Sequence, residues 1–223
     1  MTPRAADCTV VVLAKAPEPG LAKTRLIPAL GAAGAAALQA RLTRHALRTA
    51  LAAAVGPVEL CCTPAAGHPF FRACARDFAI TLSQQIGADL GARMAHACAR
   101  LLPRGPVILI GSDCPALVPA DLREAAQALG ADCDAVMAPA EDGGYVLIGL
   151  ARQQPDLFHG IAWGTASVLA EQRARLAARG LRWRELRTLW DVDRPADLAR
   201  LTEPGLVDRD GFGDSAHVPA AAR

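Results

Sequence analysis

The chain has 223 residues, 52% of them hydrophobic and 21% charged, with a formal net charge of +2. These proportions suit one globular domain with a substantial core and exclude a disordered chain. The near-neutral balance argues against nucleic acid or a membrane surface as partner, and no apolar run approaches the roughly 20 residues needed to span a bilayer.

The β-branched run Thr9–Val10–Val11–Val12–Leu13 reads as a strand buried on both faces. It ends at Lys15, too short a stretch for a signal peptide, and leads into the Pro/Gly-rich loop 16–20. Residues 34–54 carry Leu38, Leu42, Leu47 and Leu51 at near-helical spacing. A strand at 58–62, a short helix at 69–76 and a strand at 80–82 follow. Asp89 opens a helix to Leu102, and Val107–Ile110 is the clearest strand after the first. A helix at 119–129, strands at 135–138 and 145–148, a helix at 166–179, a weaker strand at 183–189 and a short helix at 195–201 complete the series. Alternating strands and helices predict an α/β fold, a mostly parallel sheet flanked by helices, as a single domain over 7–202. The Gly, Asp and Ala-rich segment 203–223 reads as a flexible tail.

The seven cysteines form no Cys-x-x-Cys pair, and Cys61 and Cys62 are adjacent. They read as reduced thiols in a cytoplasmic protein, not as a disulfide framework or zinc site. The histidines, His45, His96, His159 and His217 among them, show no metal-ligand spacing, and no Ser-His-Asp arrangement is present.

Ligands of such sheets sit outside the carboxyl ends of the strands. The only two lysines, Lys15 and Lys23, both fall in the loop after the first strand, joined by Arg25. Prolines stiffen this loop, Gly20 lets backbone approach a ligand, and its cations suit a di- or triphosphate, although a plain surface loop would look similar. It is not a Walker A loop, and no Gly-x-Gly-x-x-Gly suits a dinucleotide. Gly111-Ser112-Asp113-Cys114-Pro115 follows the 107–110 strand; Asp113 is placed to hold a hard cation such as Mg²⁺, or to cap the next helix. Asp142-Gly143-Gly144-Tyr145 offers room for a sugar or acceptor beside the sole tyrosine, or is a hairpin turn. Asp191 and Asp193 alternate after the last strand, so one of them points into the site or Asp193 caps a helix. Trp163-Gly164-Thr165 is a fifth, weaker element, in which Thr165 could be an N-cap only.

Taken in order, Lys15-Ala-Pro-x-Pro-Gly-x-x-Lys23-Thr-Arg-Leu, Gly111-Ser-Asp-Cys-Pro, Asp142-Gly-Gly-Tyr, Trp163-x-Thr and Asp191-Val-Asp-x-Pro resemble the bacterial radical-SAM/selenodomain-associated transferase family, also described as arsenosugar-biosynthesis-type glycosyltransferases. The resemblance implies the GT-A, or nucleotide-diphospho-sugar transferase, fold. It implies nucleotide contacts from Ala14, Lys15, Pro17, Gly20, Lys23, Thr24, Arg25, Gly111, Ser112 and Asp113. Gln84 and Gly87 resemble the family's Q-x-x-G-x-x-L-G segment and belong to the same set. It further implies a Mg²⁺ or Mn²⁺ ion on Asp113 and Asp193, with Asp191 an alternative ligand. Asp142, Gly143, Gly144, Tyr145, Trp163 and Thr165 fall to the sugar or acceptor.

Lys23, Arg25 and Asp113 are then the catalytic set, with the cations neutralising charge on the leaving phosphate. The family implies glycosyl transfer from a nucleoside diphosphate sugar to a small-molecule acceptor. Where many glycosyltransferases of this fold carry Asp-x-Asp, this chain has Ser112-Asp113-Cys114, which fits nucleotidyl transfer from a nucleoside triphosphate to a small phosphorylated or acidic acceptor. A non-catalytic nucleotide-binding partner stays open, as does a homodimer.

Overall fold

The structure, a computed structural model, describes residues 7–202 apart from Asp132 and Pro155; the expected tail, with His217, lies outside the described residues. Strand β1 (Thr9–Lys15) shows why the sheet is covered on both sides. β-Branched side chains favour extended backbone and alternate in direction. Val10 and Val12 enter one hydrophobic cluster, while Val11 enters another. The first cluster lies under helices α1 (Ile27–Ala53), α2 (Pro69–Phe78) and α4 (Pro119–Ala131). The second lies under α3 (Leu90–Leu101) and α5 (Val168–Ala178).

Seven strands run in the order β3-β2-β1-β4-β6-β5-β7: β2 (Val58–Thr63), β3 (Thr81–Gln84), β4 (Val107–Gly111), β5 (Ala135–Pro139), β6 (Tyr145–Leu150) and β7 (Trp183–Glu185) around β1. All pairs are parallel except those of β6, which runs antiparallel to both β4 and β5. The exception has a local cause. β5 and β6 are joined by a short hairpin whose turn is the Asp142-Gly143-Gly144 sequence, and so short a connection can only return antiparallel.

Three boundaries differ from the sequence pattern. Helix α1 begins at Ile27, with proline in its first turn, and Gly31 at φ 69° kinks it before the Leu-rich part. β7 stops at Glu185, short of the expected 189. Arg187 explains this: its guanidinium turns aside to pair with the buried Asp121 and the Ala116 carbonyl. The chain rejoins the sheet edge at Leu189, which pairs with Ala140. The segment 195–202 is 3₁₀-helical throughout.

β1 has β2 on one side and β4 on the other, so the order in which strands are added across the sheet reverses between the parallel neighbours β1 and β4. A reversal of this kind opens a crevice at the strands' carboxyl ends. The segment after β7 returns to this edge, where the Val192 amide donates to the Asp113 carbonyl at 2.9 Å. No helix among the described residues is long and apolar enough to cross a membrane.

Candidate active site

A cavity of about 570 Å³ occupies the crevice, within the range of small-molecule sites. Its floor is the ends of β1 and β4, from Leu13 to Lys15 and from Leu109 to Gly111. Met94, Val146 and Ile148 add apolar wall, and Lys15, Lys23, Arg25, Arg93, Asp113 and Asp193 bring charge.

The loop after β1 is built to deliver Lys23. The Ala16 amide donates to the Thr63 carbonyl at 2.8 Å, and Ala16, Ala22 and Leu26 are buried. Lys23 itself lies in the left-handed region, at φ 48° and ψ 44°. That conformation costs a non-glycine residue about 1 kcal/mol and persists only where something compensates. The compensation is an ion pair. Lys23 Nζ lies 2.8 Å from Asp113 Oδ2 and donates to the Val192 carbonyl at 2.5 Å, with its side chain only 4% exposed. One ammonium thus ties together the loops after β1 and β4 and the segment after β7. The other oxygen, Asp113 Oδ1, accepts from Ser112 Oγ at 3.0 Å.

Arg25 pairs with Asp193 farther out, where the side chains are 64% and 42% exposed. Asp191 is driven up to about 6 by burial first, then by the charges of Asp142 and Asp113, with Lys23 acting against them. Asp142 and Asp113 therefore act as like charges on Asp191, with the Lys23 ammonium opposing them. The donors are all oxygens, the set a hard divalent cation prefers, and Mg²⁺ takes only one or two protein carboxylates beside phosphate and water. Among the described residues no group of three or more His, Cys, Asp or Glu converges at metal-ligand spacing.

Of the residues singled out in the sequence, the structure brings Ala14, Lys15, Lys23, Thr24, Arg25, Gly111, Ser112, Asp113, Tyr145 and Asp193 to this cavity. Pro17 and Gly20 stand outside its wall and shape the loop, with Gly20 at φ 82°. Gln84 is exposed at the end of β3 and donates to the Pro64 carbonyl. Gln85, one residue on and so on the opposite side, lines the cavity instead. Gly87 packs on the first turn of α3: a Cβ there would lie 2.7 Å from Ala92 and Arg93 backbone atoms.

The glycines expected to open room for a sugar are filled by the protein. A Cβ on Gly143 would lie 2.4 Å from the Ala166 carbonyl oxygen, and the Gly143 carbonyl accepts from Leu169 of α5. Asp142 Oδ1 accepts from the Gly144 amide at 2.8 Å, completing the hairpin turn. Tyr145 presents its ring to the cavity while its hydroxyl is directed at Gln172 Oε1, 3.4 Å away on α5. Trp163 packs edge-on against Tyr145, and Thr165 Oγ1 donates to the Ala162 carbonyl in the turn before α5.

Arg93, Gln85 and Gln39 also border the cavity, although no motif in the sequence marks them. Arg93 stands one helical turn after Leu90, on the same side of α3, and that spacing could have pointed to it. Gln39 was visible only as a polar side chain within the apolar stripe of α1. The cysteines act as core residues: all seven are free, and burial pushes the Cys98 and Cys114 thiols up to about 12.

Known proteins share this architecture. A crystal structure of a candidate nucleotide-diphospho-sugar transferase from Desulfovibrio desulfuricans G20 superposes with a TM-score of 0.80 at 30% identity, covering 90% of this chain and 89% of that one. The inositol-1-phosphate CTP transferase of T. maritima matches with a TM-score of 0.56 at 11% identity, over 85% of this chain and 90% of that one. The glucosyl-3-phosphoglycerate synthase of Mycobacterium tuberculosis, solved with Mn²⁺, uridine diphosphate and glucosyl-3-phosphoglycerate, matches with a TM-score of 0.55 at 11% identity, over 86% and 74%. At that identity the last two establish the fold alone. No curated protein matches in sequence. Residues 46–165 match the family described as uncharacterized protein conserved in bacteria (DUF2064), so the chain belongs to the DUF2064 family and has the GT-A-type nucleotide-diphospho-sugar transferase fold.

Proposed function

We propose that this protein is a metal-assisted, nucleotide-dependent transferase that moves a glycosyl group from a nucleoside diphosphate sugar to a small-molecule acceptor. Lys23 is held by the buried pair with Asp113, whereas Lys15 and Arg93 have no ion pair among the described residues and Arg25 has only an exposed, exchangeable one with Asp193, so three cations can meet a polyphosphate in the cavity. The choice of a sugar diphosphate as donor is supported by the likeness, at 30% identity, to the candidate nucleotide-diphospho-sugar transferase of Desulfovibrio desulfuricans.

In the reaction so proposed, an acceptor hydroxyl attacks the anomeric carbon and the bond to the diphosphate oxygen breaks, its electron pair staying on the diphosphate. Lys15, Arg93 and Arg25 face the charge that develops there. Lys23 holds Asp113 in place and does not reach the phosphate, because its ammonium is buried against Asp113 and Val192. The acceptor hydroxyl's proton has to leave as the new bond forms, and Asp191, raised to about 6, is the nearby carboxylate best matched to take it near neutrality. Asp113, with Asp193 or Asp191, would hold a Mg²⁺ or Mn²⁺ ion, which when bound screens the diphosphate as it leaves. The radical-SAM-associated branch of the family and a cytoplasmic location belong to the same proposal, the latter supported by seven free cysteines.

Nucleotidyl transfer is the second reading. It is favoured by the single acid after β4, because the neighbouring Cys114 is buried with a thiol raised to about 12 and supplies no second ligand. A thermal-shift and turnover panel of nucleoside diphosphate sugars and nucleoside triphosphates with Mn²⁺ separates the two. Larger shifts and nucleoside diphosphate release with a sugar donor support glycosyl transfer. Consumption of a triphosphate with release of pyrophosphate replaces it with nucleotidyl transfer.

A further inference from the structure

Helix α1 buries an apolar stripe against the sheet, yet Gln39 within it is 4% exposed and borders the cavity. A buried amide is costly unless its hydrogen bonds are made, and a leucine would fill such a place without that cost. Its bonds have a definite direction. Thr43 Oγ1 donates to the Gln39 carbonyl at 2.9 Å, so this oxygen is left to accept. Gln39 Nε2 is its donor, at 3.2 Å, and gives its second hydrogen to Ser112 Oγ at 3.0 Å. Ser112 Oγ, accepting from the amide, directs its own proton to Asp113 Oδ1 at 3.0 Å. Lys23 occupies Asp113 Oδ2.

We propose that Gln39 is a positioning residue that acts through Ser112: it fixes the direction of the Ser112 hydroxyl and so holds the Asp113 carboxylate in the orientation that receives a divalent cation. The proposal rests on the reading of Asp113 as the metal-binding acid. The relay gives Asp113 a donor on each oxygen, Ser112, itself held by Gln39 of α1, on one and Lys23 of the β1 loop on the other, and leaves its remaining lone pairs for the cavity. Partners one bond removed from a metal ligand commonly govern affinity in this way.

The test is Mn²⁺ titrated by calorimetry into the protein saturated with whichever of ADP, CDP, GDP or UDP gives the largest thermal shift. Gln39→Met, which keeps the volume and loses the donors, and Ser112→Ala are each expected to weaken Mn²⁺ binding about 10-fold. The double variant is expected to be no worse than either single one, because both cut the same chain. With a sugar donor that turns over, kcat falls while the donor KM stays within about twofold, a split that simple loosening of the fold would not produce. Gln39→Leu, which has no donor in any protonation state, is the second variant should Gln39→Met fail to fold, and the same loss is expected. Wild-type Mn²⁺ affinity in a folded Gln39 variant, or losses that multiply in the double variant, overturn the proposal. If Asp113→Asn binds Mn²⁺ as the wild type does, the metal-binding acid is misassigned and both readings fall. A loss in Asp113→Asn with none in Gln39→Met removes only the role of Gln39.

Discussion

Two ion pairs of the same chemistry stand in one cleft and are built differently. Lys23–Asp113 buries its ammonium to 4% exposure and anchors it again on the Val192 carbonyl, whereas Arg25–Asp193 leaves both side chains in solvent. A pair with one partner buried is costly to break, because the survivor cannot regain water. An exposed pair contributes little and exchanges partners readily. The inner pair is therefore a strut that joins three segments of chain. In the proposed reaction the outer pair is the one that would trade Asp193 for a phosphate.

The sharpest way to break this contrast is Asp113→Asn. It removes the acid of the site and leaves the Lys23 ammonium without its counter-charge. Turnover is expected to fall about 10²–10³-fold. Stability in urea is expected to fall by about 3 kcal/mol. Wild-type turnover in a folded Asp113→Asn protein would end the assignment.

A hairpin residue outside the cavity wall tests the packing beside the site. Gly143→Ala forces a Cβ against the Ala166 carbonyl at φ 90° and is expected to cost about 2–4 kcal/mol. The donor KM should not move, since Gly143 packs against the chain preceding α5; a changed KM would restore it to the substrate site.

Arg25→Ala is expected to raise the donor KM about 10-fold, while stability changes by less than about 0.5 kcal/mol. An unchanged KM would move the phosphate away from the outer pair.

The smallest expected effect is on pH dependence. Asp191 has a folded-state pKa of about 6, above its ordinary value, so ionising it disfavours the folded state. The penalty is absent below about pH 4, grows between about pH 4 and 6, and is complete above that. Asp191→Asn, measured in EDTA, is therefore expected to match the wild type at pH 4 and to exceed it by about 1–2 kcal/mol at pH 8. Equal stability at both pH values would show that Asp191 is not held among like charges.

Much of this was legible beforehand. The run Thr9–Leu13, the Leu spacing of α1 and the Asp89 cap each carry their structure locally, and the elements formed near their expected places. Lys15, Lys23, Arg25, Asp113 and Asp193 could be picked out because ligand sites follow strands, and all five border the cavity. Gln84 and Gln85 could not be told apart, since one residue of register decides which faces the cleft. Nor could Gly143 be distinguished as an opening or a packing site until α5 was placed against it.

Local patterns of side-chain type and turn residue determined the elements, the α/β class and the segments that hold charge, because these depend on neighbours a few residues away. Only the tertiary structure decided that Lys23 faces Asp113, that Val192 closes on both, and that Gln39 reaches Ser112 from 73 positions earlier in the chain. Partners so far apart meet only when packing brings their elements together, and the burial that fixes their energies exists only once the chain has closed around them.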